Sequence, residues 1–89
     1  MGRIDKQIHL INKEIENFSE EDKRNYCEDC LEKMNDHTNY NPYLTDTGVC
    51  SSCLKVNDLI NIKIVEIIQM NNVNIEDYHL FGGKRIYLQ

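Results

Sequence analysis

Alanine and tryptophan are absent from this sequence, and proline occurs once, at Pro42. Isoleucine and asparagine, eleven of each, fill the space. Such usage is the imprint of an AT-rich coding genome, such as that of a low-GC bacterium or its phage. No stretch of eighteen apolar residues occurs, so nothing is expected to span a membrane. The opening MGRIDKQIHLINKE has no apolar run of the signal-peptide type, which points to a reducing, cytoplasmic setting (a bacterial host cell) and away from disulfides. Catalytic signatures are missing too. There is no G-x-S-x-G, no H-x-E ahead of a P-C-x-x-C, and no marked Ser/His/Asp or paired-carboxylate set, so no enzyme activity is expected. The GGK of residues 82–84 lacks the spacing of a phosphate-binding loop. Basic residues are scarce: ten Lys and Arg stand against fifteen Asp and Glu, a formal charge of −5. That sign disfavours a phosphate binder, whose affinity comes from cations, and suits a protein partner with a basic surface.

What the chain does have is four cysteines in a telling order. Cys27 and Cys30 form one C-x-x-C, and Cys50 and Cys53 form a second after nineteen intervening residues. Two such pairs at this separation are the signature of one tetrahedral zinc site. A C-x-x-C turn lets both sulfurs point to one side, and Zn²⁺ takes four ligands at about 2.3 Å. Four thiolates leave no open position for water, so the zinc reads as structural, one ion per chain. Thioredoxin-like redox use would need a βαβ context, which is absent. His37 lies near the ligands, but four cysteines already fill the set. A chain of 89 residues makes one domain with a limited core, for which a structural metal is an expected supplement.

Taken in order, residues 1–25 read as an amphipathic helix and a turn. Ile4, Ile8, Ile11, Ile15 and Phe18 recur at spacings of four and three. Two heptads are short for an autonomous coiled coil, so packing within the chain is favoured over a seam with a second copy. Ser19 caps a following turn with Glu20, Glu21 and Asp22. Residues 26–55 form the zinc module, with a short helix running past Cys30 and a polar loop around Asn41-Pro42. Residues 56–72 read as a second helix, opened at Leu54 directly after the second pair, with Val56, Ile60, Ile64, Ile67 and Ile68 on one face. A strand over 59–68 is the alternative, because Ile60, Ile62 and Ile64 alternate. Leu59, Ile62, Val65 and Met70 fall outside the main face and are the candidate partner-binding residues. Residues 73–89 read as a β-hairpin, with Gly82-Gly83 supplying the turn, Tyr78 opposite Tyr87 and His79 opposite Ile86.

The segment GVCSSCLKVNDLI, a C-x-x-C followed by an apolar stretch after a loop from YCEDCLEKM, resembles the treble-clef arrangement of the ClpX zinc-binding domain family and of the Gin anti-sigma family. Leu31 departs from the pattern by standing where such modules often carry glycine. The resemblance implies that Cys27, Cys30, Cys50 and Cys53 are ligands and that the module makes protein contacts, including dimerisation and inhibition of a transcription factor.

The expected architecture is therefore a small α+β zinc-binding domain: an N-terminal helix, a four-cysteine treble-clef-like module, a second helix and a C-terminal β-hairpin. The expected role is a zinc-stabilised protein-protein interaction module, an inhibitor or adaptor of a host or regulatory protein. A nucleic-acid-binding zinc-finger regulator is the less favoured alternative on charge, and a self-associating homodimer is compatible with the first reading.

Overall fold

The computed structural model of the chain describes residues 2–34 and 40–85. Helix α1 (Gly2–Glu16) leads through a turn to strand β1 (Tyr26–Cys27) and helix α2 (Glu28–Lys33). A single 3-10 turn at Pro42–Leu44 precedes strands β2 (Asp46–Val49) and β3 (Val56–Ile60). Helices α3 (Ile62–Met70) and α4 (Ile75–Leu80) complete the described chain. The three strands make an antiparallel sheet in the order β1-β3-β2. Leu59 lies opposite Cys27 on one side and opposite Asp46 on the other. His37, Ile86 and Tyr87 lie outside the described residues, as does the expected pairing of Tyr78 with Tyr87 and of His79 with Ile86.

The N-terminal seam is intramolecular. Ile8, Ile11, Ile15 and Phe18 are buried in one cluster with Ile60, Ile64, Val65, Ile67 and Ile68, and Ile4 packs against its edge. Ser19 caps the next turn as expected: its Oγ accepts from Asp22 N at 3.3 Å.

Two expectations are overturned. Residues 54–60 do not begin a helix; the chain leaves Cys53 through a turn, runs as β3, and becomes helical only at Ile62. The physical reason is Asn61. Its side chain accepts from Ile64 N at 3.0 Å, so it is an N-cap, and an N-cap has extended rather than helical backbone. The β-branched residues ahead of it then serve the sheet. The face assigned to a single long helix is thereby split. Ile60, Ile64, Ile67 and Ile68 are buried, but Val56, on the strand, is 69% exposed.

The C-terminal hairpin is likewise replaced by α4. Asn74 caps it, accepting from Glu76 N at 2.8 Å. Gly82 has φ +82, Gly82 N donates to His79 O at 3.3 Å, and Gly83 N donates to Tyr78 O at 2.8 Å. These two crossed bonds are a Schellman C-cap. The glycine pair does supply the positive φ the sequence announced, but to end a helix rather than to turn a hairpin. Tyr78 is fully buried instead of facing a partner strand. A side chain at Gly83 would overlap its ring, so the chain can fold back over the tyrosine only there. Asn12 of α1 then fastens this end, accepting from Lys84 N at 2.9 Å and donating to Gly82 O at 3.3 Å.

Asn61 does more than cap. Wholly buried, its amide donates to Asp22 O at 2.8 Å, Arg24 O at 3.3 Å and Asn25 Oδ1 at 3.1 Å. It thus ties the start of α3 to the segment entering β1. Replacing Asn61 with Ala should remove a cap, worth about 1 kcal/mol, and strand buried acceptors at about 1–3 kcal/mol. A total loss of roughly 2–4 kcal/mol is expected from urea unfolding of the metal-loaded protein; Asn74→Ala, which removes only an exposed cap, should lose about 1 kcal/mol.

Candidate metal centre

The two cysteine pairs sit on different kinds of turn. Cys27 ends β1 and occupies the N-cap position of α2, and Cys30 lies one turn into that helix. Cys50 and Cys53 lie in the six-residue connection, 50–55, at the tip of the β2–β3 hairpin. That tip is closed by Cys50 N to Lys55 O at 2.9 Å and Leu54 N to Cys50 O at 3.0 Å. The first pair is followed by a short helix, as expected, whereas the second, expected to open a helix in GVCSSCLKVNDLI, is followed by strand β3.

Ser51 locks the hairpin tip to the first pair. Its N–H donates to Asn25 O at 2.8 Å, and its Oγ accepts from Asn25 N at 3.1 Å. This places the second C-x-x-C beside the two residues preceding Cys27. Cys27 N in turn points at Cys50 Sγ, 3.5 Å away.

The outcome is a compact group of four sulfurs, all within 4.8 Å of one another. Cys27 Sγ lies 3.9 Å from Cys53 Sγ, and Cys50 Sγ lies 3.7 Å from Cys30 Sγ. Sulfurs held about 2.3 Å from a central ion at tetrahedral corners are about 3.8 Å apart. All four cysteines are free, so no disulfide competes with this arrangement. Cys27, Cys30 and Cys50 are buried together with Leu59, and Cys53 is half-buried at the margin. Four cysteines so placed could hold one metal ion.

Electrostatics inside the group point the same way. Cys50 is fully buried, which on its own raises its pKa. The backbone N–H groups of Cys53, Cys27 and Ser52 aim at its sulfur, favour the thiolate and hold it down to about 6. Cys30 is pushed up to about 12, first by its contact with Cys27, then by burial and by Cys50 and Cys53. Four sulfurs this close cannot all carry charge unless a cation stands among them.

The candidate partner residues are not brought together. Leu59 and Val65 are each 1% exposed and belong to the two cores, which corrects their assignment to spare surface. Leu59, on β3, packs among the cysteines, and Val65, on α3, packs in the isoleucine core. Ile62 is half-buried against the main core, and Met70 is 81% exposed. Sequence reasoning missed three other exposed aliphatics, Val49, Leu54 and Val56, all on the hairpin that carries the second pair. Its β-strand signal, DTGV before the pair and VNDLI after it, was there to be read as flanking a turn.

The chain matches no protein-family model, no curated protein and no solved structure. Among the described residues no helix is long and apolar enough to cross a membrane.

Two measurements check this centre. Thiolates bound to a cation have pKa values below the unfolded value of about 8.5, so their stabilisation is complete above that pH and is lost as pH falls through the lowered values. With Cys50 at about 6 before a metal adds its own pull, metal should be retained at neutral pH and released cooperatively with unfolding once pH drops below about 6. Separately, Leu54 has φ +62, a left-handed conformation that non-glycine residues adopt at a cost of roughly 1 kcal/mol or more. Since its side chain is exposed, Leu54→Gly should raise the melting temperature, a gain of about 0.5–1 kcal/mol.

Proposed function

We propose that the chain is a small zinc-stabilised protein-interaction module, an adaptor or inhibitor in which the metal is structural and no reaction is catalysed. The observation that carries the reading is the four-sulfur group with edges near 3.7–3.9 Å. Soft thiolates in a tetrahedral set select zinc or iron, and four of them close the coordination sphere to water and substrate. A closed site gives the fold rigidity without giving it a reacting position.

What such a rigid tip presents is apolar. Val49 and Val56 are direct cross-strand neighbours, 57% and 69% exposed, and Leu54 at the turn between them is 73% exposed. Scattered exposed aliphatics are ordinary, but three on one short hairpin, two of them paired across its strands, are a concentration of apolar surface. The formal charge of −5 becomes about −7 once four thiolates and one Zn²⁺ are counted. That charge favours a protein with a basic rim and opposes nucleic acid.

The test has three parts. Metal analysis with light scattering on one sample should give one zinc per chain, and Cys50→Ser should abolish cooperative unfolding, because zinc binding supplies folding free energy. An unchanged melting curve would sink the structural-zinc reading. Met70→Asp should shift stability by no more than about 0.5 kcal/mol, whereas Leu59→Asp, which buries a charge, should prevent folding. Finally, a protein captured from a lysate of the source cell should be lost when Val49 and Val56 are both changed to Asp. Capture that is instead abolished by nuclease would overturn the interaction reading in favour of nucleic acid.

A further inference from the structure

We propose that Cys53 is an oxidant-reactive modification site, at which a peroxide converts the metal centre into a Cys27–Cys53 disulfide and expels the ion. This inference rests on the zinc reading above and adds a means of control to it. The four cysteines differ in how far each residue is exposed. Cys27, Cys30 and Cys50 are only 6%, 4% and 0% exposed, while Cys53 is half-buried between exposed Ser52 and exposed Leu54. A thiolate that meets solvent is the one a small oxidant reaches first.

The second sulfur follows from the geometry. Cys53 Sγ lies 3.9 Å from Cys27 Sγ, whereas Cys50 Sγ is engaged 3.7 Å from Cys30 Sγ and accepts N–H groups from Cys27 and Ser52, each at 3.5 Å. Closing a disulfide to about 2.05 Å needs side-chain movement at Cys53, on the exposed turn, rather than displacement of buried Cys50.

The chemistry balances as follows. The Cys53 thiolate attacks one peroxide oxygen; an S–O bond forms, the O–O bond breaks, and hydroxide leaves and is protonated to water. The Cys27 thiolate then attacks the Cys53 sulfenic sulfur; the S–S bond forms, the S–O bond breaks, and a second water departs after protonation. Two thiolates lose two electrons in all, and one peroxide is reduced to two waters. Cys30 and Cys50 remain, too few to hold a four-coordinate ion. The new bond joins the hairpin tip to the end of β1, the same two elements the metal joined. A dithiol reductant with added zinc therefore restores the starting state.

The experiment treats the full-length, zinc-loaded chain with hydrogen peroxide, follows released zinc with a colorimetric indicator, and maps disulfides in unreduced peptides. The expected first product is Cys27–Cys53, appearing with zinc release. Histidine keeps a ligand at each position but cannot be oxidised this way. Cys53→His should slow release by roughly tenfold or more, while Met70→Ala, on the exposed end of α3 and outside the ligand set, should release at the wild-type rate. In Cys27→His a Cys53 sulfenic acid should accumulate and be trapped by a cyclic-diketone probe. A first disulfide at Cys30–Cys50 or Cys50–Cys53, or a Cys53→His variant that releases zinc at the wild-type rate, would overturn the inference. Zinc content before oxidant is read separately: a chain that binds none refutes the zinc reading itself, and a loaded chain inert to peroxide refutes only this step.

Discussion

Mutual repulsion among four sulfurs is the constraint on which the small half of this molecule depends. The sheet is slight: β1 contributes two residues and β2 four. Strands so short do not hold together on backbone pairing alone. The hairpin tip nevertheless has to meet the end of β1, bringing Cys50 within reach of Cys27 twenty-three positions earlier. Bringing them together concentrates negative charge wherever the thiols ionise. The N–H groups aimed at Cys50 relieve part of that charge, and a divalent cation held by the four sulfurs would relieve the rest. The group is thus self-opposing without an ion and strongly cohesive with one.

Three consecutive residues pass this local condition to the rest of the chain. Leu59 and Ile60 are neighbours on β3 and point to opposite faces of the sheet, as strand geometry requires. Leu59 packs among the cysteines, and Ile60 packs in the larger isoleucine core. Asn61 then ends the strand, caps α3 and holds the backbone carbonyls of Asp22 and Arg24 and the side chain of Asn25, whose own backbone N–H is bonded to Ser51 of the second pair. A disturbance at the cysteine cluster therefore reaches α3 through a buried polar chain as well as through a shared strand.

How much of this could be read in advance depended on how many structures a given pattern allows. The C-x-x-C pairs were legible because a tetrahedral ion fixes both the number and the spacing of its donors. The Ile4-to-Phe18 seam was legible because a period near 3.6 has one geometric meaning. Residues 54–70 were not, since a run dense in isoleucine satisfies helix and strand together. The deciding residue, Asn61, looked like one more polar position on an apolar run. Gly82-Gly83 was ambiguous for a different reason: a hairpin turn and a Schellman cap both call for positive φ. The chain chose the cap because Tyr78, one turn back, needed burial and Gly83 alone leaves room above its ring.

Composition explains why asparagine recurs at these decisive points. With no alanine, the helices are built largely from isoleucine and charged residues, and isoleucine loses side-chain freedom in a helix. Short helices of this kind are marginal without tertiary packing or caps. Among the described residues three asparagines supply side-chain N-caps: Asn41 to the 3-10 turn, Asn61 to α3 and Asn74 to α4. A fourth, Asn12, fastens the end of α4 to α1. Exposed caps such as Asn41 and Asn74 each set one element's boundary and little else. Asn61 differs because it is buried and serves four partners, so the boundary between strand and helix is also the joint between the metal centre and the core. That coincidence makes a six-residue hairpin tip able to govern a fold whose larger hydrophobic cluster contains none of its ligands.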